Sequence, residues 1–192
     1  MFARASGNVS EIFMCLTTPA LFTSTNDDWA TPSAIITFIT GQYGPITLDA
    51  AAAKNTAHAP YFGPDHVDPR RRDALDANLI WADTQWHAPN MPSHTFVNPP
   101  YGRRMNPWVD HALECAWHGV PVTLLLPART DTQAFQRLAQ HAHAIHLISG
   151  RLNFTRPDGQ TGRAPFPSVI IHLTPSSVKQ PTTEDWVTLT HR

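Results

Sequence analysis

The sequence is short of three things: cysteine, charge and long apolar runs. Two cysteines, Cys15 and Cys115, are too few for a disulfide framework, which indicates a reducing, cytoplasmic setting. No segment has the length and purity of a membrane span, so we expect no membrane partner. Charged residues are only 15% of the chain and the formal net charge is −1. This argues against an overall basic coat for nucleic acid and directs attention to local arginine clusters.

What is present is enough for one folded domain. Apolar residues make up 42% of the 192 residues, a fraction typical of globular proteins and not of disordered chains. We expect a poorly ordered lead-in at residues 1–28, one domain at residues 29–173 and a tail at residues 174–192. No pattern in the sequence points to a particular oligomeric state.

Helix and strand patterns alternate through the domain. A proline-rich stretch at residues 55–94 interrupts the periodicity and predicts long loops with one short strand. In chain order, the other predicted elements are a helix begun by Thr31 and Pro32 and ended by Gly41, strands at 46–49 and 95–98, a helix from Asn106 to Gly119, a strand at 120–126, a helix capped by Asp131, and strands at 144–148, 151–154 and 168–173. The alternation predicts an α/β fold with a doubly wound, mostly parallel sheet, whose last two strands form an antiparallel hairpin.

Ligands of doubly wound sheets bind beyond the carboxyl ends of the strands. Two of the predicted strand ends carry residues suited to a ligand. Asp49 leaves the first strand beside Ala50 and three further alanines, whose small side chains would let a ligand approach the backbone. The loop Asn98-Pro99-Pro100-Tyr101 follows the second strand. We therefore expect the functional site at these two strand ends.

The Asn98-Pro99-Pro100-Tyr101 loop suits methyl transfer to an amino nitrogen conjugated with a ring, as in adenine. Such a nitrogen is a poor nucleophile because its lone pair is delocalised. If the side-chain carbonyl of Asn98 and the backbone carbonyl of Pro99 each accept one amino hydrogen, the lone pair is directed toward the methyl donor without a metal. The prolines stiffen the loop, and Tyr101 offers a flat face for a base swung out of a helix.

Other interpretations of these residues stay open at this point. Asn, Pro and Gly are common turn residues, and Asp49 on its own could be a turn carboxylate. The same loop would serve an enzyme that methylates adenine in RNA or a glutamine amide in a protein, because each presents a delocalised amino nitrogen. A catalytically inactive nucleic-acid-binding relative is the alternative from a different class.

Six motifs occur in a fixed order along the predicted domain. They are WATP at 29–32, LDAAAAKN at 48–55, DAL at 73–75, FVNPPYG at 96–102, LLLPARTDTQAF at 124–135 and GRLNF at 150–154. Together they closely resemble the phage N-6-adenine DNA methyltransferase family. The resemblance implies a Rossmann-like methyltransferase fold, S-adenosylmethionine as methyl donor and DNA with a flipped adenine as substrate. If phage-encoded, the protein would act in the cytoplasm of the host cell.

The resemblance also implies roles for individual residues. It places the cofactor contacts at Thr31, Pro32, Asp49, Ala50, Asp73 and Leu75, the last two near the cofactor's adenine, and the catalytic loop at Asn98, Pro99, Pro100 and Tyr101. Phe154 would pack near the flipped base opposite Tyr101, with a place in the hairpin core as its alternative role. The LDAAAAKN motif departs from methyltransferases generally because it has no glycine where a Gly-rich loop is usual.

Two arginines are the candidate DNA contacts. Arg103 and Arg104 directly follow the catalytic loop, where they could meet phosphates flanking an extruded adenine, although simple surface solvation is the alternative. Few other residues could reach base edges, so we expect a short or loosely defined recognition site. The histidines at residues 141, 143 and 146 share no helical face and have no CxxC partner, and we expect no metal site.

Overall fold

A computed structural model describes residues 29–101 and 105–178. The helices are α1 (Ser33–Tyr43), α2 (Met105–Trp117) and α3 (Gln133–His141), with short 3-10 helices at Pro69–Arg71 and Thr84–Trp86; the strands are β1 (Leu48–Asp49), β2 (Thr95–Val97), β3 (Val122–Pro127), β4 (Ala144–Leu147), β5 (Asn153–Thr155), β6 (Thr161–Arg163) and β7 (Ser168–Leu173). Within the described ranges, no helix is long and apolar enough to cross a membrane.

The main sheet has five strands in the order β1-β2-β3-β7-β4. Strands β1, β2 and β3 are parallel neighbours, whereas β7 runs antiparallel to both β3 and β4. Four of the five strands therefore share one direction. The predicted α/β class with a mostly parallel sheet is confirmed.

The predicted hairpin between residues 151–154 and 168–173 is wrong in its pairing. Strand β5 pairs instead with β6 in a separate two-stranded sheet, and β7 enters the main sheet between β3 and β4. The reason is burial: all six residues of β7 are buried, as expected of a strand covered on both faces. In β5 only the central Phe154 is buried, a pattern typical of a surface hairpin.

Helices cover both faces of the main sheet. On one face Leu125 and Ile170 pack with Ile39 of α1 and with Phe154 of the hairpin. The alternate strand residues, such as Leu124 and Ile171, point the other way and pack against α2 and α3; the helix residues on that side are Val109, Ala112 and Leu138. Each fully buried aliphatic side chain of this kind contributes about 1.5–3 kcal/mol. The two cores hold the strand ends in place from opposite sides.

Three helix ends differ from the predicted ones. Helix α1 continues through Gly41 to Tyr43 and is terminated by its C-cap Gly44, because Gly44 has a positive φ (87°), which glycine adopts readily. Helix α3 is capped by Thr132, whose side chain accepts a hydrogen bond from the backbone N–H of Phe135, and not by Asp131. Thr31 does not cap α1, since its hydroxyl bonds elsewhere.

A buried histidine network lies within the sheet. Thr123 on β3 faces His172 on β7, and the Thr123 hydroxyl is 2.8 Å from both His172 Nδ1 and His94 Nε2. The Tyr43 ring stacks on His172 with centroids 3.6 Å apart. Burial first, and then the neighbouring histidines 94, 143 and 146, lower the pKa of His172 to about 4. His172 is therefore neutral in the folded protein at neutral pH.

His172 should make stability depend on pH between its unfolded pKa of 6.5 and its folded pKa of about 4. The unfolded chain binds the proton first, so the stabilisation is complete above pH 6.5 and is lost as pH falls. Urea denaturation should show that the advantage of wild type over His172→Asn shrinks on acidification by up to about 1.4 kcal/mol per pH unit. Parallel pH profiles for the two proteins would contradict this.

Candidate active site

The carboxyl ends of β1 and β2 open into a cavity of about 440 Å³. Nine residues predicted to form the site line it: Thr31, Asp49, Asp73, Leu75, Asn98, Pro99, Pro100, Tyr101 and Phe154. They come from five separate stretches of the chain. The fold thus gathers into one cavity most of the residues that the sequence motifs single out.

Two other predicted residues do not line the cavity, and two more are not described by the structure. Pro32 occupies the N-cap position of α1 and is not part of the lining. Ala50 is fully buried in the core, its backbone N–H bonds to the Phe96 carbonyl at 2.9 Å, and it is not among the residues that line the cavity. Arg103 and Arg104 lie outside the described residues.

Asp49 is a buried carboxylate at the floor of the cavity, with only 2% of its surface exposed. Its Oδ2 accepts a hydrogen bond from the His58 backbone N–H at 3.3 Å, while its buried Oδ1 has no hydrogen-bond partner among the described residues. Burial raises the pKa of Asp49 to about 7, against the opposing effect of the backbone N–H groups of His58 and Ala51. Such an unsatisfied oxygen favours a ligand that brings a donor or a positive charge.

The Asp49 environment is built by a second segment that runs beside the end of β1. Backbone bonds join Asp49 N–H to the Pro60 carbonyl at 2.8 Å and Phe62 N–H to the Asp49 carbonyl at 3.0 Å, and Tyr61 forms an isolated parallel bridge with Asp49. The sequence predicted one short strand within residues 55–94. The structure has this isolated bridge there and no full strand. The segment closes one wall of the cavity.

Gly63 makes this close approach possible, and sequence reasoning missed it. A Cβ on Gly63 would lie 1.9 Å from the carbonyl oxygen of Ala52. This distance is too short for any residue with a side chain. The glycine missing from LDAAAAKN is thus matched by one on the facing segment. The available signal was the Phe62-Gly63-Pro64 sequence within the proline-rich stretch, where a glycine can mark close backbone contact.

The catalytic-loop candidate holds its Asn98 amide at both ends. Asn98 Nδ2 donates to the Thr31 hydroxyl at 3.1 Å, and the Tyr101 hydroxyl donates to Asn98 Oδ1 at 2.6 Å. The Tyr101 ring meets Phe166 edge to face, with centroids 5.3 Å apart. Burial raises the pKa of Tyr101, so its hydroxyl stays a proton donor at neutral pH. The side chain proposed to contact the target nitrogen is therefore fixed in orientation.

Aromatic side chains complete the lining. Trp29, Phe62 and Trp108 join Tyr101 and Phe154 around the cavity. Phe154 is 3% exposed and belongs to the core on the α1 side as well as to the cavity lining, while its contact with a flipped base stays a prediction. Trp29 is the first residue of the WATP motif, and its place in the cavity lining was not predicted from the sequence. The described residues include no cluster of three His, Cys, Asp or Glu side chains that could hold a metal.

Comparison with known proteins assigns the family. The family model for DNA N-6-adenine-methyltransferase (Dam) matches residues 19–183. The chain belongs to this DNA N-6-adenine-methyltransferase family. It is 30% identical over 153 residues to the DNA N-6-adenine-methyltransferase of Escherichia phage T1, an alignment that covers 72% of this chain and 57% of that relative. The family resemblance inferred from the six motifs is confirmed, and the match extends into both segments that flank the predicted domain.

Replacing Gly63 should show how tightly the two segments of the Dam-family cavity are packed. In Gly63→Ala the new Cβ meets the Ala52 carbonyl, and we expect a loss of about 1–3 kcal/mol, as is usual for overpacking. Gly41→Ala is the matched control. Gly41 lies in an exposed part of α1, and no atom lies within 4 Å of the Cβ that the alanine would add. That change should stabilise by about 0.5–1 kcal/mol. Thermal denaturation measures both, and equal midpoints for the two variants would refute the packing argument.

Proposed function

We propose that this chain transfers a methyl group from S-adenosylmethionine to the exocyclic amino nitrogen of adenine in DNA. The observation that carries the proposal is the shared cavity of Asp49 and Asn98 in a chain of the DNA N-6-adenine-methyltransferase family. We also propose the finer fold assignment, a Rossmann-like methyltransferase fold, because the cavity lies beyond the carboxyl ends of neighbouring parallel strands.

The residues of the cavity fit S-adenosylmethionine. Its volume of about 440 Å³ lies in the range of small-molecule sites. The cofactor brings positive charge in its sulfonium and ammonium groups, and the buried, unpartnered Oδ1 of Asp49 is suited to face such charge. The alanines at residues 51–53 leave room for close approach to the backbone. Asp73 and Leu75, in the same lining, would contact the adenine end of the cofactor.

The cofactor supplies an electrophilic methyl group, and the protein activates the accepting nitrogen. Asn98 Oδ1 and the Pro99 backbone carbonyl would each accept one hydrogen of the adenine amino group. An amide oxygen has two lone pairs, so Asn98 Oδ1 can accept from substrate while it accepts from Tyr101. These two oxygens would direct the nitrogen lone pair toward the methyl donor. Transfer would then form the new N–C bond as the C–S bond of the cofactor breaks, and one amino proton would leave to solvent.

A flipped adenine would stack on aromatic residues that line the cavity. Tyr101 and Phe154 line the cavity, and Phe166 supports Tyr101 from the side. The guanidinium of the exposed Arg129 lies 5.6 Å from the centre of the Phe166 ring. Arginine and aromatic side chains in this combination suit a nucleic acid, whose phosphates and bases they contact. Arg103 and Arg104 remain our predicted contacts to the flanking phosphates.

Cofactor affinity should depend on the charge of Asp49. The pKa of this carboxyl is about 7 in the free protein, and the ionised form is the one that attracts the cationic cofactor. Affinity should therefore fall as pH drops below 7, approaching about tenfold per pH unit. The variant Asp49→Asn keeps the shape of the side chain but not its charge. Calorimetry should show that it binds the cofactor more weakly and without this pH dependence. The account fails if both proteins bind equally at pH 8.

The side chain of Asn98 should matter for transfer and not for cofactor binding. Asn98→Ala removes one acceptor of the target amino group, and we expect at least ~100-fold slower methylation of DNA, the scale for one lost transition-state contact. S-adenosylmethionine affinity should stay close to wild type. Asn78→Ala, an exposed loop residue outside the cavity, is the control and should remain fully active. Retained methylation by Asn98→Ala would contradict the mechanism.

A further inference from the structure

Thr31 is held rigidly beside the catalytic-loop candidate. It is only 6% exposed, and the preceding Ala30 N–H bonds to the Thr155 carbonyl of β5 at 2.8 Å. This backbone contact ties the segment before α1 to the hairpin that carries Phe154. The Thr31 hydroxyl accepts the Asn98 Nδ2 hydrogen bond at 3.1 Å. Thr31 thus contacts the amide group itself, in addition to lining the cavity.

The orientation of the Asn98 amide decides whether it can assist the transfer. Its oxygen can accept a hydrogen bond from the target amino group. Its NH₂ group cannot, because it is itself a donor and would face the donor hydrogens of the target amino group. The terminal torsion of an asparagine side chain is soft and roughly two-fold, so rotation by half a turn exchanges the two ends at little intrinsic cost. Neighbouring groups must therefore hold the productive orientation.

We propose that Thr31 is a positioning residue for the methyl-transfer step. By accepting from Asn98 Nδ2, its hydroxyl keeps Asn98 Oδ1 turned toward the place of the target nitrogen, while the Tyr101 hydroxyl steadies the oxygen end. The inference rests on the proposed function and adds a role beyond the cofactor contact that the family resemblance implies for Thr31. Because the β5–β6 hairpin holds the segment before α1 through the bond between Ala30 and Thr155, the hairpin also contributes to the alignment of Asn98.

The test compares Thr31→Val, which keeps the shape and loses the hydroxyl, with Thr31→Ser, which keeps the hydroxyl. Single-turnover methylation of DNA at saturating S-adenosylmethionine should slow by up to about 100-fold in Thr31→Val, as misplaced catalytic groups do. Thr31→Ser should recover most of the rate. Calorimetry should measure cofactor affinity in both variants, so that the S-adenosylmethionine concentration stays saturating and the single-turnover rate reports on transfer alone. Urea denaturation should show that both variants fold.

A double-mutant cycle tests whether Thr31 acts through Asn98. Adding Thr31→Val to Asn98→Ala should cause no further loss of rate, because the group being oriented is already gone. Three outcomes would overturn the inference: an unchanged single-turnover rate in Thr31→Val, an equal loss in Thr31→Ser, or additive losses in the double variant. If wild type itself transfers no methyl group to DNA, the proposed function fails, a result distinguishable from all three.

Discussion

The candidate site depends on the parallel pairing of β1 with β2. In this register Asp49 lies opposite Phe96, and the Ala50 N–H continues the ladder to the Phe96 carbonyl. Both strands therefore end at the same edge, with Asp49 leaving one and Asn98 leaving the other. Any other register would separate the Asp49 carboxylate from the Asn98 amide, which we propose to contact the cofactor and the target base. The cores on the two faces of the sheet hold this alignment.

Burying Asp49 beside that edge is energetically unfavourable for the empty protein. The carboxylate gives up solvation and receives few hydrogen bonds in return, which is why its pKa rises to about 7. A cationic ligand would offset this desolvation cost, so the burial of Asp49 favours binding of such a ligand. Asn98 shows the opposite design, since both ends of its amide are bonded and its orientation is settled before substrate arrives. In the proposed function, the unsatisfied carboxylate of Asp49 would meet the cofactor and the preorganised amide of Asn98 would assist the reaction.

Local chemistry made much of the site predictable from sequence. A carboxylate after a short strand and an Asn-Pro-Pro-Tyr loop after the next indicate their position at a sheet edge, and the structure places both in one cavity. The contacts that were missed are non-local. The sequence around Gly63 can signal a close backbone contact but not that the partner is the Ala52 carbonyl, and nothing near Thr31 reveals its bond to Asn98, 67 positions away. The pairing of β7 inside the sheet was missed because two apolar runs close in sequence favour a hairpin, whereas burial on both faces places β7 between β3 and β4.

The central claim concerns which atom receives the methyl group. The most direct measurement incubates the full chain with S-adenosylmethionine carrying a deuterated methyl group and with DNA, RNA and protein together, and then identifies labelled products by mass spectrometry. The account predicts label on the N6 nitrogen of deoxyadenosine from the DNA. Label on adenosine of RNA or on glutamine of the protein, with none in DNA, would contradict it, as would the absence of transferred label altogether.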